Sequence, residues 1–172
     1  DSLTGTANRE HFSSALERQF EHASRQTQPI SLIFIDADRF KSINDTYGHL
    51  VGDIVLTTMA QLLMSNAPEN ATVARYGGEE FAIILPGMNR RESAKFAEQM
   101  RRTIEQTPIE SDEAGELNIT VSLGVASFDG VRFFQQARQL LRAADQAVYA
   151  AKASGRNCVR IFTPKAEAEK TA

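Results

Sequence analysis

The sequence predicts an α+β fold, a central and mainly antiparallel sheet flanked by helices, and three observations carry that prediction. Short apolar, β-branched runs alternate with longer stretches of helical periodicity. In the middle of the chain their order is strand, helix, strand, strand, helix, strand. A Gly-Gly pair, Gly77-Gly78, stands between two of the strand-like runs, where it marks a hairpin.

The elements follow in order. Residues 8–26 space Phe12, Leu16, Phe20 and Ala23 as one face of an amphipathic helix that ends before Pro29. Residues 30–35, Ile-Ser-Leu-Ile-Phe-Ile, form a strand apolar enough to be covered on both faces, and it stops at Asp36. Residues 36–48 read as a polar loop, rich in donors and too long for an idle turn, and therefore as a binding loop. Val51, Ile54, Val55, Met59, Leu62 and Leu63 give residues 50–66 a helical period. Residues 72–76 and 81–85 are the strands of the hairpin, and residues 90–106 are a third helix with Ala94, Ala97, Met100 and Ile104 on one face. A strand over 119–128, a helix over 134–154 and a short strand over 158–162 complete the chain. Residues 1–164 make one domain, and the charged, alanine-rich stretch 165–172 is expected to fray.

This order is that of a ferredoxin-like, palm-like βαββαβ core with an extra N-terminal helix and a C-terminal helix and strand. Each helix returns the chain so that its flanking strands run parallel. The end of the first strand and the hairpin turn then share one end of the sheet. Asp36 is expected to face residues 77–80 across neighbouring strands.

Composition narrows the function. The chain has 172 residues, 42% hydrophobic and 24% charged, enough for one domain with a real core. A net charge of −3 carries no footprint for long nucleic acid. One cysteine, Cys158, excludes an internal disulfide, and the scattered His11, His22 and His49 match no zinc spacing. No apolar run approaches the ~20 residues of a membrane span, and no leader pattern opens the chain, so no membrane contact by this segment and a cytoplasmic location are expected.

Asp36, Asp38, Glu79 and Glu80 gather carboxylates at one sheet end, where repulsion must be relieved by protons or cations. Oxygen-only donors favour Mg²⁺ or Mn²⁺, and two such ions suit phosphoryl transfer. An acidic turn is also an ordinary solvated feature. Gly77 and Gly78 allow either a close backbone approach to phosphate or a positive φ in a tight turn. Lys152 and Arg156 either bind polyphosphate or oppose the dipole at a helix C-terminus. Asn44 and Asp53 suit a guanine edge, or else cap and solvate the next helix.

The run Arg75-Tyr76-Gly77-Gly78-Glu79-Glu80-Phe81 resembles the signature of the GGDEF family in its GGEEF form. Residues 1–5, 36–53 and 152–157 resemble that family's opening turn, its metal and base-binding segment and its closing motif. The resemblance implies a diguanylate cyclase that joins two GTP into cyclic di-GMP and two pyrophosphates, with two Mg²⁺ or Mn²⁺ ions per active site. It implies Asp36, Glu79 and the carbonyl of Ala37 as metal ligands. Glu80 would stand beside them as a proton acceptor or a carboxylate that positions the metal, and either glutamate can take the proton. Asn44 and Asp53 would read guanine, Leu3, Phe40 and Leu56 would wall its pocket, and His49 would lie close to the nucleotide. Lys41, Lys152 and Arg156 would neutralise the triphosphate, with Gly77 and Gly78 near the phosphates.

One domain of this kind holds one GTP, so catalysis is expected at a homodimer interface. An upstream sensor or dimerisation segment, outside these residues, is expected too. Two departures stand out. The family's Arg-x-x-Asp inhibitory motif is replaced by Pro68 and Ala71, and the usual Leu-Pro of the opening by Thr6-Ala7. The competing readings are a retired GTP or cyclic di-GMP binding module, and another metal-dependent nucleotidyl transferase on a palm-like sheet.

Overall fold

A computed structural model describes residues 1–130 and 133–164; the stretch expected to fray, 165–172, lies outside the described residues. Its central sheet has five strands in the order β2-β3-β1-β6-β7. These are β1 (Ile30–Ala37), β2 (Thr72–Arg75), β3 (Glu80–Pro86), β6 (Val121–Phe128) and β7 (Val159–Ile161), while β4 (Ile109–Ser111) and β5 (Gly115–Leu117) make a separate small hairpin. The helices are α1 (Arg9–Gln26), α2 (Phe40–Tyr47), α3 (His49–Asn66), α4 (Arg90–Gln106) and α5 (Ala137–Ala153). The α+β class and the βαββαβ order are as the sequence predicts. β1 lies antiparallel between β3 and β6, and β7 joins β6 in parallel.

Strand alternation divides the core into two layers. Ile33, Ile35 and Ala37 of β1 pack with α3 and α4, whereas Ile30, Leu32 and Phe34 pack with α1 and α5. Every residue of β1 is buried, and each large apolar side chain so buried contributes about 1.5–3 kcal/mol. The period of two then continues past the apolar run. Asp36 follows Phe34 onto the α5 side, and Glu80 of β3 shares that side with Ala82 and Ile84.

Two elements differ from the sequence reading. The loop expected over 36–48 contains α2, an eight-residue helix. Its apolar face is only Phe40 and Ile43, too short a repeat to stand out from the polar residues between them. Gly48, at φ 87° and ψ 167°, is at once the C-cap of α2 and the N-cap of α3, so the two helices turn on one residue. The β4–β5 hairpin went unread because three-residue strands leave no period to count.

On α4, Arg101 bridges Glu98 at 2.9 Å and Glu105 at 2.7 Å. The Arg101 guanidinium, with Arg102 beside it, lowers the Glu98 carboxyl from 4.5 to about 2. A carboxyl lowered in the folded state adds stability above its unfolded value and loses it as the proton binds. Stability is therefore expected to fall between about pH 4.5 and about pH 2, and Glu98→Gln is expected to flatten that part of a pH–melting curve. Since Glu98 is over a third exposed, the effect is small.

Candidate active site

Asp36 and Glu80 lie opposite each other where the topology requires. Asp36, second to last in β1, is 5% exposed and stands opposite Glu80 in β3 and Ser122 in β6. The Ala37 N–H donates to the Glu79 carbonyl at 3.3 Å, which ties the end of β1 to the hairpin turn. From α5, Lys152 brings its ammonium to 2.5 Å from Asp36 Oδ2. Burial raises the Asp36 carboxyl, Lys152 opposes that rise, and Glu79 and Asp38 add to it. Glu80 is raised by burial first and then by Asp36.

The hairpin turn is held from outside. Arg75 donates from Nε to the Gly78 carbonyl at 3.0 Å and from Nη1 to Asp1 Oδ1 at 3.3 Å. Tyr76 stacks edge-on against Phe12 and Phe34, anchoring the turn to α1 and β1. Neither Gly77 nor Gly78 has a positive φ, so turn strain does not explain the pair. A Cβ on Gly77 would run into the Glu80 carboxylate, whereas one on Gly78 would meet open space. A side chain at the first glycine would therefore displace the Glu80 carboxylate from where it lies.

A second group of residues lies on α2 and α3. Phe40 and Leu56 are buried with Leu3 packed against the same cluster. Above them the Asn44 Oδ1 is buried with no hydrogen-bond partner. A Cβ on Gly52 would collide with that oxygen, so glycine lets the Asn44 side chain lie where it does. Asp53 is exposed one residue beyond Gly52. Lys41, His49 and Arg156 are exposed and make no side-chain hydrogen bond or ion pair among the described residues.

The model of the family described as diguanylate cyclase, GGDEF domain, matches residues 1–158. This chain belongs to the GGDEF family. Diguanylate cyclase DosC of Escherichia coli is 36% identical to this GGDEF domain over 162 residues, 94% of this chain and 35% of that protein. Response regulator PleD of Caulobacter vibrioides is 41% identical over 160 residues, 92% of this chain and again 35% of the relative. The chain thus spans about a third of the length of these two relatives. Among solved structures, the GGDEF domain of DgcB from Caulobacter crescentus in complex with c-di-GMP superposes with a TM-score of 0.89 at 35% identity, covering 95% of this chain and 93% of that one. The active GGEEF domain of a diguanylate cyclase from Vibrio cholerae gives 0.85 at 34% identity, covering 92% and 99%.

The GGDEF domain's donor set fits a hard divalent ion. Asp36 and Glu79 offer carboxylate oxygens and Ala37 a carbonyl, with no sulfur or imidazole among them. In this structure the positive charge at Asp36 is the Lys152 ammonium. Among the described residues, no three acidic, histidine or cysteine side chains are grouped so as to hold a metal ion. Among those residues, too, no helix is long and apolar enough to cross a membrane.

Sequence reasoning missed three contributors. As a letter of the signature Arg75 gives no sign that it holds the turn. Gly52 reads as an unremarkable helix glycine until Asn44 is placed against it. Asp38, counted among the converging carboxylates, is instead engaged by Thr120 just before β6, by Ser122 in β6 and by the turn after α5.

Proposed function

We propose that this GGDEF domain condenses two GTP into cyclic di-GMP, with two domains face to face and one GTP on each. The observation that carries the proposal is the β1–β3 register, which sets Asp36 opposite Glu80 with the Lys152 ammonium on Asp36. In each half-reaction the 3′-oxygen of one GTP bonds to the α-phosphorus of the other, and the bond from that phosphorus to the bridging oxygen breaks. Pyrophosphate leaves. The second half-reaction closes the ring in the opposite sense.

Each side chain has a task in this scheme. Asp36, Glu79 and the Ala37 carbonyl would hold two Mg²⁺ or Mn²⁺ ions, whose chemistry when bound would be to polarise the attacking hydroxyl and neutralise the leaving group. Glu80, raised by burial and by Asp36, is suited to receive the hydroxyl proton, with Glu79 as the other acceptor. Lys152 exchanges Asp36 for the triphosphate, and Lys41 and Arg156 join it there. The unpartnered Asn44 oxygen and the Asp53 carboxylate accept from the N–H groups on the guanine edge, over a floor of Phe40, Leu56 and Leu3. Gly77 and Gly78 keep the turn clear for the phosphates, and His49 lies beside the nucleotide.

The test is incubation with GTP and Mg²⁺ at low and high protein concentration, followed by mass analysis of the nucleotides, with Glu79→Gln alongside. Cyclic di-GMP whose rate per protein rises with concentration, and vanishes in the variant, is the expected result. GTP binding without product, even with a dimerising segment fused ahead of Asp1, would replace the cyclase by a binding module.

Product is not expected to inhibit through the Arg-x-x-Asp route. Pro68 and Ala71 close a tight turn, with the Ala71 N–H donating to the Pro68 carbonyl at 2.9 Å, and neither carries a charge to grip cyclic di-GMP. Titrating product into the assay checks this. Strong inhibition abolished by changes at residues 68–71 would contradict it.

A further inference from the structure

Asp38 lies two residues beyond Asp36 and is 7% exposed, yet its oxygens point to neutral donors rather than to the other carboxylates. Oδ1 accepts from Ser122 Oγ at 2.6 Å; Oδ2 accepts from Thr120 Oγ at 2.7 Å and from the Asn157 N–H at 3.0 Å. Three donors leave little of the carboxylate free for a metal.

The third donor comes from an unusual piece of backbone. Gly155, Arg156 and Asn157 have φ of 105°, 67° and 45°, three successive left-handed residues, two of them not glycine. Each such non-glycine residue is strained and persists only where surrounding contacts hold it. Asn157 is held on both sides. Its backbone N–H is on Asp38, its Oδ1 accepts from Arg101 Nη1 at 2.7 Å, and its Nδ2 donates to Glu105 Oε1 at 2.7 Å. Arg101 and Glu105 are in turn ion-paired on α4.

This turn leads back through Arg156 to Lys152, whose ammonium sits on Asp36. We infer that Asp38 and Asn157 are positioning residues, which fix the 152–157 turn between β1 and α4 so that Lys152 and Arg156 meet the triphosphate in a prepared geometry. The inference rests on the proposed GTP site and adds to it the device that presents its cations. Asp38 acts through a neighbouring backbone, not as a metal ligand.

The test separates phosphate recognition from base recognition and from folding. Asn157→Gly keeps the left-handed backbone and removes both side-chain bonds, while Thr120→Val removes one donor to Asp38 if Asp38→Asn fails to fold. Binding of guanosine, and of a GTP analogue with a methylene between the α- and β-phosphorus plus Mg²⁺, is measured by calorimetry alongside melting curves. Losing a charge-assisted positioning bond is expected to weaken the analogue about tenfold and leave guanosine unchanged. KM for GTP should rise more than kcat falls.

Equal loss for guanosine and the analogue would show general loosening and overturn the inference. An unchanged analogue affinity in a folded Asn157→Gly would also overturn it. Wild-type protein that binds neither ligand would instead overturn the GTP site, and the inference with it.

Discussion

Asp36→Asn is expected to lower cyclic di-GMP formation about a thousandfold while leaving the fold as stable as before or more so. The two halves of that outcome have one cause. Asp36 is a buried anion whose desolvation Lys152 only partly offsets, so the native carboxylate is kept for its charge and not for its contribution to stability. An amide has nearly the same shape but neither the charge to hold a divalent ion nor the pull to align Lys152. Product analysis and a denaturant midpoint, measured on the same preparation, check both halves. A variant that retains a tenth of the activity would remove Asp36 from the chemistry.

Gly124→Ala is expected to be the most destabilising of the glycine substitutions, at or above about 3 kcal/mol, a fall in Tm of roughly 6–12 °C. Gly124 lies in β6 beneath α5, and an added Cβ would strike the Ala144 carbonyl and the Val148 nitrogen. Both are helix backbone, which cannot swing aside as a side chain would, so α5 itself must lift. Lifting α5 also withdraws Lys152. A Gly78→Ala control, whose Cβ meets nothing within 4 Å, is expected to melt with the wild type. A melting temperature for Gly124→Ala within 2 °C of the wild type would show that α5 packs less closely than described.

How much of this the sequence discloses depends on the length over which a pattern repeats. Strand β1 and helices α3 and α4 are legible because their periods run for six residues or more. That Asp36 faces the hairpin residues 77–80 is legible too, since strand order and hairpin position put both at one end of the sheet, whereas its pairing with Glu80 in particular is a matter of register that only the structure supplies. Helix α2 is not, because two apolar residues make no period. The role of Asp38 is also hidden. A carboxylate that serves a metal and one that serves three hydroxyl and amide donors are spelled identically, and the donors lie 82, 84 and 119 residues away. Gly52 is hidden for a related reason, since its meaning comes from a side chain on the preceding helix.

In the proposed GTP site, the single-residue joint at Gly48 makes the mouth of the base cleft a matter of one residue's φ and ψ. Asn44 lies on α2 and Asp53 on α3, and no connecting loop absorbs a change between them. Any rotation at residue 48 therefore opens or narrows the jaws as a pair, with the lining side chains untouched. If that site binds GTP as proposed, selectivity between bases can drift through a residue outside the cleft wall, and a survey confined to the wall would overlook where it is set.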